Sequence, residues 1–337
     1  MIELKVGRHP FELPIVIEKT EVLPDSYAMV KIPVGRTPSD TRLTLQAHIY
    51  RGKNPGPAIL LLGGVHGDEI NGIEIVNQLI YEKAFNNIHA GTIIAIPLLN
   101  VFGFNNFRRA MPDGKDVNRS FPGIMNGSYA ARIARILSKA IMPYIDYAID
   151  FHTGGDSRYN YPQTRFTKTD VISMQMAQLF NAPFMIQQPL IVKSFRKTCK
   201  DMGISSLVFE GGESVRLDGL SIQYGKEGTL KVLNALNLLK VKSNTEHNGD
   251  TILILKSAWI RAQQSGIFIW EKSSGQYIEK GEPLGTIHDP YGTRMTTIFS
   301  KHSGHIIGHN NASVVNQGDA IFHIGLLEET ITPNQTF

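Results

Sequence analysis

The chain has 337 residues, 42% hydrophobic and 19% charged, a balance that excludes disordered, collagenous and fibrous classes and indicates a globular protein. At about 150 residues per domain, the length suggests two domains, or one large domain with an appendage. A formal net charge of +4 is too small and too dispersed to imply a nucleic-acid partner.

In chain order, Met1-Ile2-Glu3-Leu4-Lys5 lacks the basic start and apolar run of a signal peptide, and no later stretch approaches the roughly 18 apolar residues of a membrane span. The expectation is a cytoplasmic protein with no membrane partner, in which sequons such as Asn126-Gly127-Ser128 carry no meaning. An extended run from Tyr27 to Val34 belongs to no sheet that the sequence identifies. From about residue 45 to 240, short apolar runs alternate with amphipathic stretches, the pattern of an α/β layer fold. Strands are expected at Ala58 to Leu62, Thr92 to Ile96, Tyr147 to Phe151 and Ser206 to Phe209. Their near-continuous hydrophobicity predicts central strands covered on both faces, and the expected fold class is α/β with a mixed, largely parallel central sheet and helices on both faces. Spacing of three and four predicts helices from about Ile70 to Phe85, Tyr129 to Met142, Ser173 to Asn181 and Gly228 to Lys240. The lone cysteine, Cys199, rules out an intramolecular disulfide. Ser243 to Asp250 is polar and turn-rich and reads as a linker. Beyond it, short β-like runs punctuated by glycines predict a small C-terminal all-β domain. The expected division is 1–247 and 248–330.

The strand ending at Leu62 runs into Gly63-Gly64-Val65-His66-Gly67-Asp68-Glu69 and then a helix. These polar residues therefore fall beyond a strand's carboxyl end, where open α/β sheets bind ligands. His66 and Glu69, three apart, can turn toward one point, and Asp150-Phe151-His152 supplies a histidine at another strand end. Two histidines and one glutamate form a zinc-binding set that leaves a fourth position open for water. Glu210, before Gly211-Gly212 at the end of an apolar strand, is placed to act as a general base, with a turn-capping role as the alternative. Glu213, further on, is expected to face solvent or cap. Between the ligand segments, the loop from Asn105 to Gly123 contains Asn118-Arg119. Such a pair can hold a carboxylate by charge-assisted hydrogen bonds, or can belong to a solvated basic loop. His302, His305 and His309 lie in glycine-rich, β-like surroundings and are read as solvent-facing or structural.

Taken together, His66-x-x-Glu69, Arg109-x-x-Pro112-Asp113-Gly114-x-Asp116-x-Asn118-Arg119-x-Phe121-Pro122-Gly123, His152 and Glu210-Gly211-Gly212 resemble the succinylglutamate desuccinylase/aspartoacylase family, the acylase branch of the zinc carboxypeptidase fold. The resemblance covers most of the chain, including the β-rich C-terminal part. It implies one zinc ion per chain held by His66, Glu69 and His152, with Glu210 as general base and Asn118 and Arg119 binding a substrate carboxylate. It also implies that Arg109 polarises the scissile carbonyl, with Arg108 taking that role if the register slips by one. The implied reaction removes an acyl group from an N-acylated amino acid or related small amine. A further arginine is expected upstream of the base, where the chain offers Arg196, Lys197 and Lys200. A tyrosine from the C-terminal domain is expected to help close the site, with Tyr277 and Tyr291 as candidates.

The competing reading is a zinc carboxypeptidase acting on short peptides. Residues 265–285 and 304–322 also look like the barrel-sandwich halves of biotinyl and lipoyl domains, but the segment Gly292-Thr293-Arg294-Met295-Thr296 lacks a modifiable lysine. The C-terminal part is therefore read as a lid or as an oligomerisation domain, which leaves room for a homo-oligomer.

Overall fold

Residues 7–240 and 250–326 are described by a computed structural model. The N-terminal five residues, the 247/248 division and most of the expected linker lie outside them. In chain order come β1 (Ile15–Ile17), β2 (Thr20–Val22), β3 (Ser26–Arg36), β4 (Arg42–Arg51), β5 (Asn54–Leu62), α1 (Ile70–Tyr81), β6 (Ala90–Ile96), α2 (Val101–Asn105) and α3 (Tyr129–Ala140). Then follow β7 (Tyr147–Gly154), β8 (Arg158–Phe166), α4 (Val171–Phe180), β9 (Phe184–Gln187), α5 (Phe195–Asp201), β10 (Ser205–Glu213) and α6 (Gly219–Ala235). The C-terminal part contributes β11 (Ile252–Ile254), β12 (Lys256–Arg261), β13 (Gly266–Trp270), β14 (Tyr277–Ile278), β15 (Pro283–His288), β16 (Met295–Phe299), β17 (Gly304–Asn310), β18 (Val314–Val315) and β19 (Ala320–Leu326).

The four strands expected from apolar runs form the middle of a large mixed sheet in the order β6-β5-β7-β10, all parallel. Side chains on a strand alternate between faces, and here the alternation separates two cores. Leu60, Leu62, Ile94 and Ile96 pack with Ile133, Leu137 and Phe195 on one face. Ile59, Leu61, Ile93 and Ile149 pack with Ile75, Met176 and Val232 on the other. Both faces are therefore covered by helices, which is why these strands read as continuous apolar runs rather than alternating ones.

Outside this middle the pairing is antiparallel. β4 pairs with β6, and β3 with β4, so the unassigned N-terminal segment joins the main sheet. β8 pairs antiparallel with β10, and β17 with β8. The order β12-β19-β17-β8-β10 thus carries C-terminal strands directly onto the main sheet. A second, four-stranded sheet, β16-β15-β13-β18, faces them across a separate core that includes Ile260, Phe268, Ile287, Ile306 and Phe322.

The last helix of the main layer differs from expectation, running Gly219–Ala235 rather than from Gly228 to Lys240. Glycine lowers helix propensity, but here it serves packing. A Cβ on Gly225 would lie 2.3 Å from Ile75, and one on Gly228 would lie 2.2 Å from Phe180. Asp218 caps the start by accepting from the Ser221 amide at 2.6 Å. Among the described residues, no helix is long and apolar enough to cross a membrane.

Candidate active site

The rim where β5 and β7 end holds the metal-ligating candidates. Glu69 occupies the N-cap position of α1 but makes no side-chain capping bond, at a cost to the helix of about 1 kcal/mol. Its carboxylate is directed instead to the site. Oε1 lies 2.7 Å from His66 Nδ1, and Oε2 lies 2.8 Å from His152 Nδ1. The two Nδ1 atoms are 3.2 Å apart. All three residues are buried, and their donor atoms lie within 4.8 Å of one another. No second such group occurs among the described residues.

The opposite nitrogen of each imidazole faces a carboxylate: His66 Nε2 is 3.1 Å from Asp116 Oδ1, and His152 Nε2 is 2.8 Å from Asp150 Oδ2. Carboxylates behind metal-binding histidines commonly fix ring orientation and raise ligand basicity. Burial works against charge on all three candidates. At His66 it is outweighed by Glu69 and Asp116, and at His152 by Asp150 and Glu69, so both imidazoles titrate above the usual histidine range. At Glu69 the two imidazoles outweigh burial and hold the carboxyl well below its usual range. Two nitrogens converging on one carboxylate form a donor set suited to a divalent cation, and the residues present fit zinc.

The loop after α2 supplies the next layer. Arg109 donates from Nη1 to Glu69 Oε1 at 2.8 Å and from Nη2 to Asp116 Oδ2 at 3.1 Å. Arg108 is exposed and does not line the cavity, whereas Arg109 does. Asn118 Oδ1 accepts from the Phe195 amide of α5 at 2.8 Å, which fixes the side chain and leaves its NH2 donors for a ligand. Arg119 is exposed at the cavity edge.

Glu210 pairs with His152 across the β10–β7 ladder. Its Oε1 lies 2.8 Å from Arg165 Nη1, and its Oε2 accepts from Asn160 Nδ2 at 2.8 Å. All seven expected site residues line one cavity of about 240 Å³.

Residues 55–236, more than half of the chain, match the succinylglutamate desuccinylase/aspartoacylase catalytic domain. The chain belongs to this family. Among curated proteins it is 23% identical to the N-alpha-acetyl-L-2,4-diaminobutyric acid deacetylase of Halomonas elongata, over 90% of this chain and 92% of that one. Among solved structures, a succinylglutamate desuccinylase/aspartoacylase from Rhodobacter sphaeroides superimposes with a TM-score of 0.78 at 25% identity, covering 89% of this chain and 94% of that one. The product-bound ectoine utilization protein EutE (DoeB) from Ruegeria pomeroyi gives 0.81 at 22% identity, covering 94% and 99%.

Within this family framework, several cavity residues were not legible in the sequence. Asn160 and Arg165 lie on β8, which no apolar run announced, and Asp150 and Asp116 look like ordinary strand and loop acids. Of the three basic residues considered upstream of Glu210, Arg196 lines the cavity. It is buried and donates to Pro189 O at 2.7 Å; burial, then the nearby charge of Arg165, lowers its pKa to about 10. Neither tyrosine candidate lines the cavity: Tyr291 is 87% exposed, and Tyr277 packs against His305. The C-terminal strands contribute Trp259 and His323 instead. Glu213 does not face solvent but is buried, its Oε2 accepting from Asn311 Nδ2 at 2.5 Å. Asn311 Oδ1 in turn lies 3.0 Å from His309 Nε2, and His309 Nδ1 lies 2.6 Å from Ser274 Oγ. His309 is thus a structural histidine at the seam.

Proposed function

We propose that the protein is a zinc-dependent amidohydrolase that removes an acyl group from an N-acylated amino acid or related small amine. The observation carrying this reading is the buried His66–Glu69–His152 group beside Glu210, in one cavity with Asn118 and Arg119. Membership of a deacylase family and the likeness to a diaminobutyrate-type deacetylase support it. We further read the fold as zinc carboxypeptidase-like, with residues 1–247 as the hydrolase unit, 248–330 as a barrel-sandwich-like lid, and the protein as cytoplasmic.

One zinc ion per chain would be held by His66, Glu69 and His152, with Asp116 and Asp150 fixing the two rings. When bound, zinc would supply Lewis acidity and lower the pKa of water to near neutrality. Asn118 and Arg119 hold the substrate carboxylate and so orient the amide carbonyl toward Arg109. Glu210 takes a proton from the attacking water at a carboxylate oxygen and returns it to the amine nitrogen as the C–N bond breaks. Arg109 donates to the carbonyl oxygen as charge develops there, a contribution of about 3 to 4 kcal/mol for a well-placed donor. The cavity of about 240 Å³ lies below the common range for larger ligands, and this favours a small acylated amine over a peptide.

The test is amine release by zinc-loaded protein from N-acyl amino acids, N-acyl diamines and short peptides, run beside Glu210→Gln. Release from small acylated amines that vanishes in the variant while zinc stays bound is the expected result. Release from peptides alone would replace this reading with a carboxypeptidase.

A further inference from the structure

β8 lies between β10 and the C-terminal strand β17 and pairs antiparallel with both. Across the β8–β10 ladder Arg165 is opposite Val208, and Gln163 is opposite Glu210. Residues two apart on a strand share a face, so Arg165, Val208 and Glu210 point the same way, and all three line the cavity. The diagonal spacing brings Arg165 Nη1 to 2.8 Å from Glu210 Oε1. The ladder shifts register between Glu210 and Gly212, the kind of irregularity that re-aims a side chain, and Asn160 donates from Nδ2 to Glu210 Oε2 at 2.8 Å. Each oxygen of the carboxylate thus has its own donor, and both donors come from β8. A carboxylate offers about four lone-pair positions, so each oxygen keeps one from which to take a proton.

The charges around this pair leave Arg165 with one partner. Arg158, Arg165 and Arg196 all line the cavity. Arg158 lies 3.6 Å from Asp156, and Arg196 donates to Pro189 O. Arg165 Nε and Arg196 Nη1 are buried without a hydrogen-bond partner. Among the described residues, the ion pair of Arg165 is with Glu210, so each compensates the other. The C-terminal strand fixes β8 from its far side. Gln163, fully buried, donates from Nε2 to Ile307 O at 3.0 Å, and Asn160 is opposite Gly308. A Cβ on Gly308 would lie 2.9 Å from Tyr159 O and 3.0 Å from Asn160 Oδ1, so the close approach of β17 sets where Asn160 lies.

We propose that Arg165 and Asn160 are positioning residues for Glu210, and that β17, by fixing β8, makes the C-terminal part a component of the catalytic frame. This rests on the deacylase reading above, with Glu210 as the base. A general base works only within hydrogen-bond reach of the proton it takes, and a displacement of about 1 Å can lower the rate about 10²-fold.

The test compares kcat, KM and metal content of zinc-loaded wild type, Arg165→Ala, Arg165→Lys, Asn160→Ala and Gly308→Ala on the N-acyl amino acid that wild type hydrolyses fastest. The expected result is a kcat lowered about 10²-fold in Arg165→Ala, about tenfold in Arg165→Lys and Asn160→Ala, and severalfold in Gly308→Ala, with zinc retained and KM within about threefold. In the Glu210→Gln background, adding Arg165→Ala should change the residual rate and the calorimetric affinity for the same amide by less than about threefold, because residues that act through one another are not additive. A raised KM at unchanged kcat, or weaker amide binding when Arg165→Ala is added to Glu210→Gln, overturns the proposal and makes Arg165 a substrate-binding residue beside Arg196. Equal losses of kcat in both backgrounds overturn it too, as does loss of zinc. Full kcat in Gly308→Ala overturns the part assigned to β17. If Arg165→Ala does not fold, the same cycle run with Arg165→Lys and Asn160→Ala decides. Wild type that hydrolyses no amide overturns the deacylase reading and the proposal together, whereas an active wild type with an unaffected Arg165→Ala overturns the proposal alone.

Discussion

At one wall of the cavity, His66 and Glu69 lie three residues apart where β5 passes into α1, and His152 lies on the adjoining parallel strand. At the other wall, Trp259 and His323 are separated by more than sixty residues and meet through antiparallel pairing of β12 with β19. The first wall is local chemistry placed at strand ends. The second comes from extension of the main sheet by C-terminal strands, with β17 joining β8. The contrast separates two kinds of construction: the grouping of His66, Glu69 and His152 depends on short spacing and burial, while the rest of the cavity lining depends on pairing across the length of the chain.

The difference predicts different kinds of damage. The largest effect is expected at the first wall: His152→Ala should abolish metal binding, measured by metal content of the purified protein, and with it amine release. Glu210→Gln should retain metal while lowering kcat by about 10² to 10⁴; equal loss of metal in both variants would erase the division between ligand and base. Next, Leu61→Ala removes a fully buried side chain beneath the rim. It should cost about 2–5 kcal/mol in denaturant unfolding, with the selectivity of the remaining folded protein unchanged.

The seam between the two regions should respond to pH. Burial lowers the His309 pKa to about 4, against about 6.5 for an unperturbed histidine. Between those values the unfolded chain binds the extra proton and the folded chain does not, so stability rises with pH across the window and is lost as pH falls from 6.5 toward 4. His309→Gln should flatten this dependence by on the order of 2 kcal/mol in urea titrations at pH 4.5 and 6.5; an unchanged slope would mean that His309 is not the group responsible. The smallest effect returns to the metal wall. Asp150→Asn, which keeps the volume behind His152 but removes the charge, should weaken metal affinity about 10- to 100-fold in competition with a chelator.

Much of the first wall was legible in the sequence because each of its signals is local. Apolar runs too continuous for a one-faced strand marked β5, β6, β7 and β10, and burial on both faces explains them. His66, Glu69, His152 and Glu210 stood out because each follows such a run. Less was legible where glycine serves close packing, as at Gly225 and Gly228 in α6, or where a strand such as β8 carries Arg158, Asn160, Gln163 and Arg165 and has no apolar signature. Neither Tyr277 nor Tyr291 lines the cavity, for a related reason: residue type alone does not say which C-terminal side chain a register brings to it.

The sequence by itself therefore determined the α/β layering, the family and the residues we propose to hold a metal and move a proton, since periodicity and short spacing act within a few residues of one another. Only the tertiary structure decided that Asp116 and Asp150 stand behind the two histidines, that Arg165 and Asn160 hold Glu210, and that Trp259 and His323 line the same cavity. Those contacts join segments from separate strands, loops and sheet edges, and they exist only once pairing register and core packing have fixed which side chains meet.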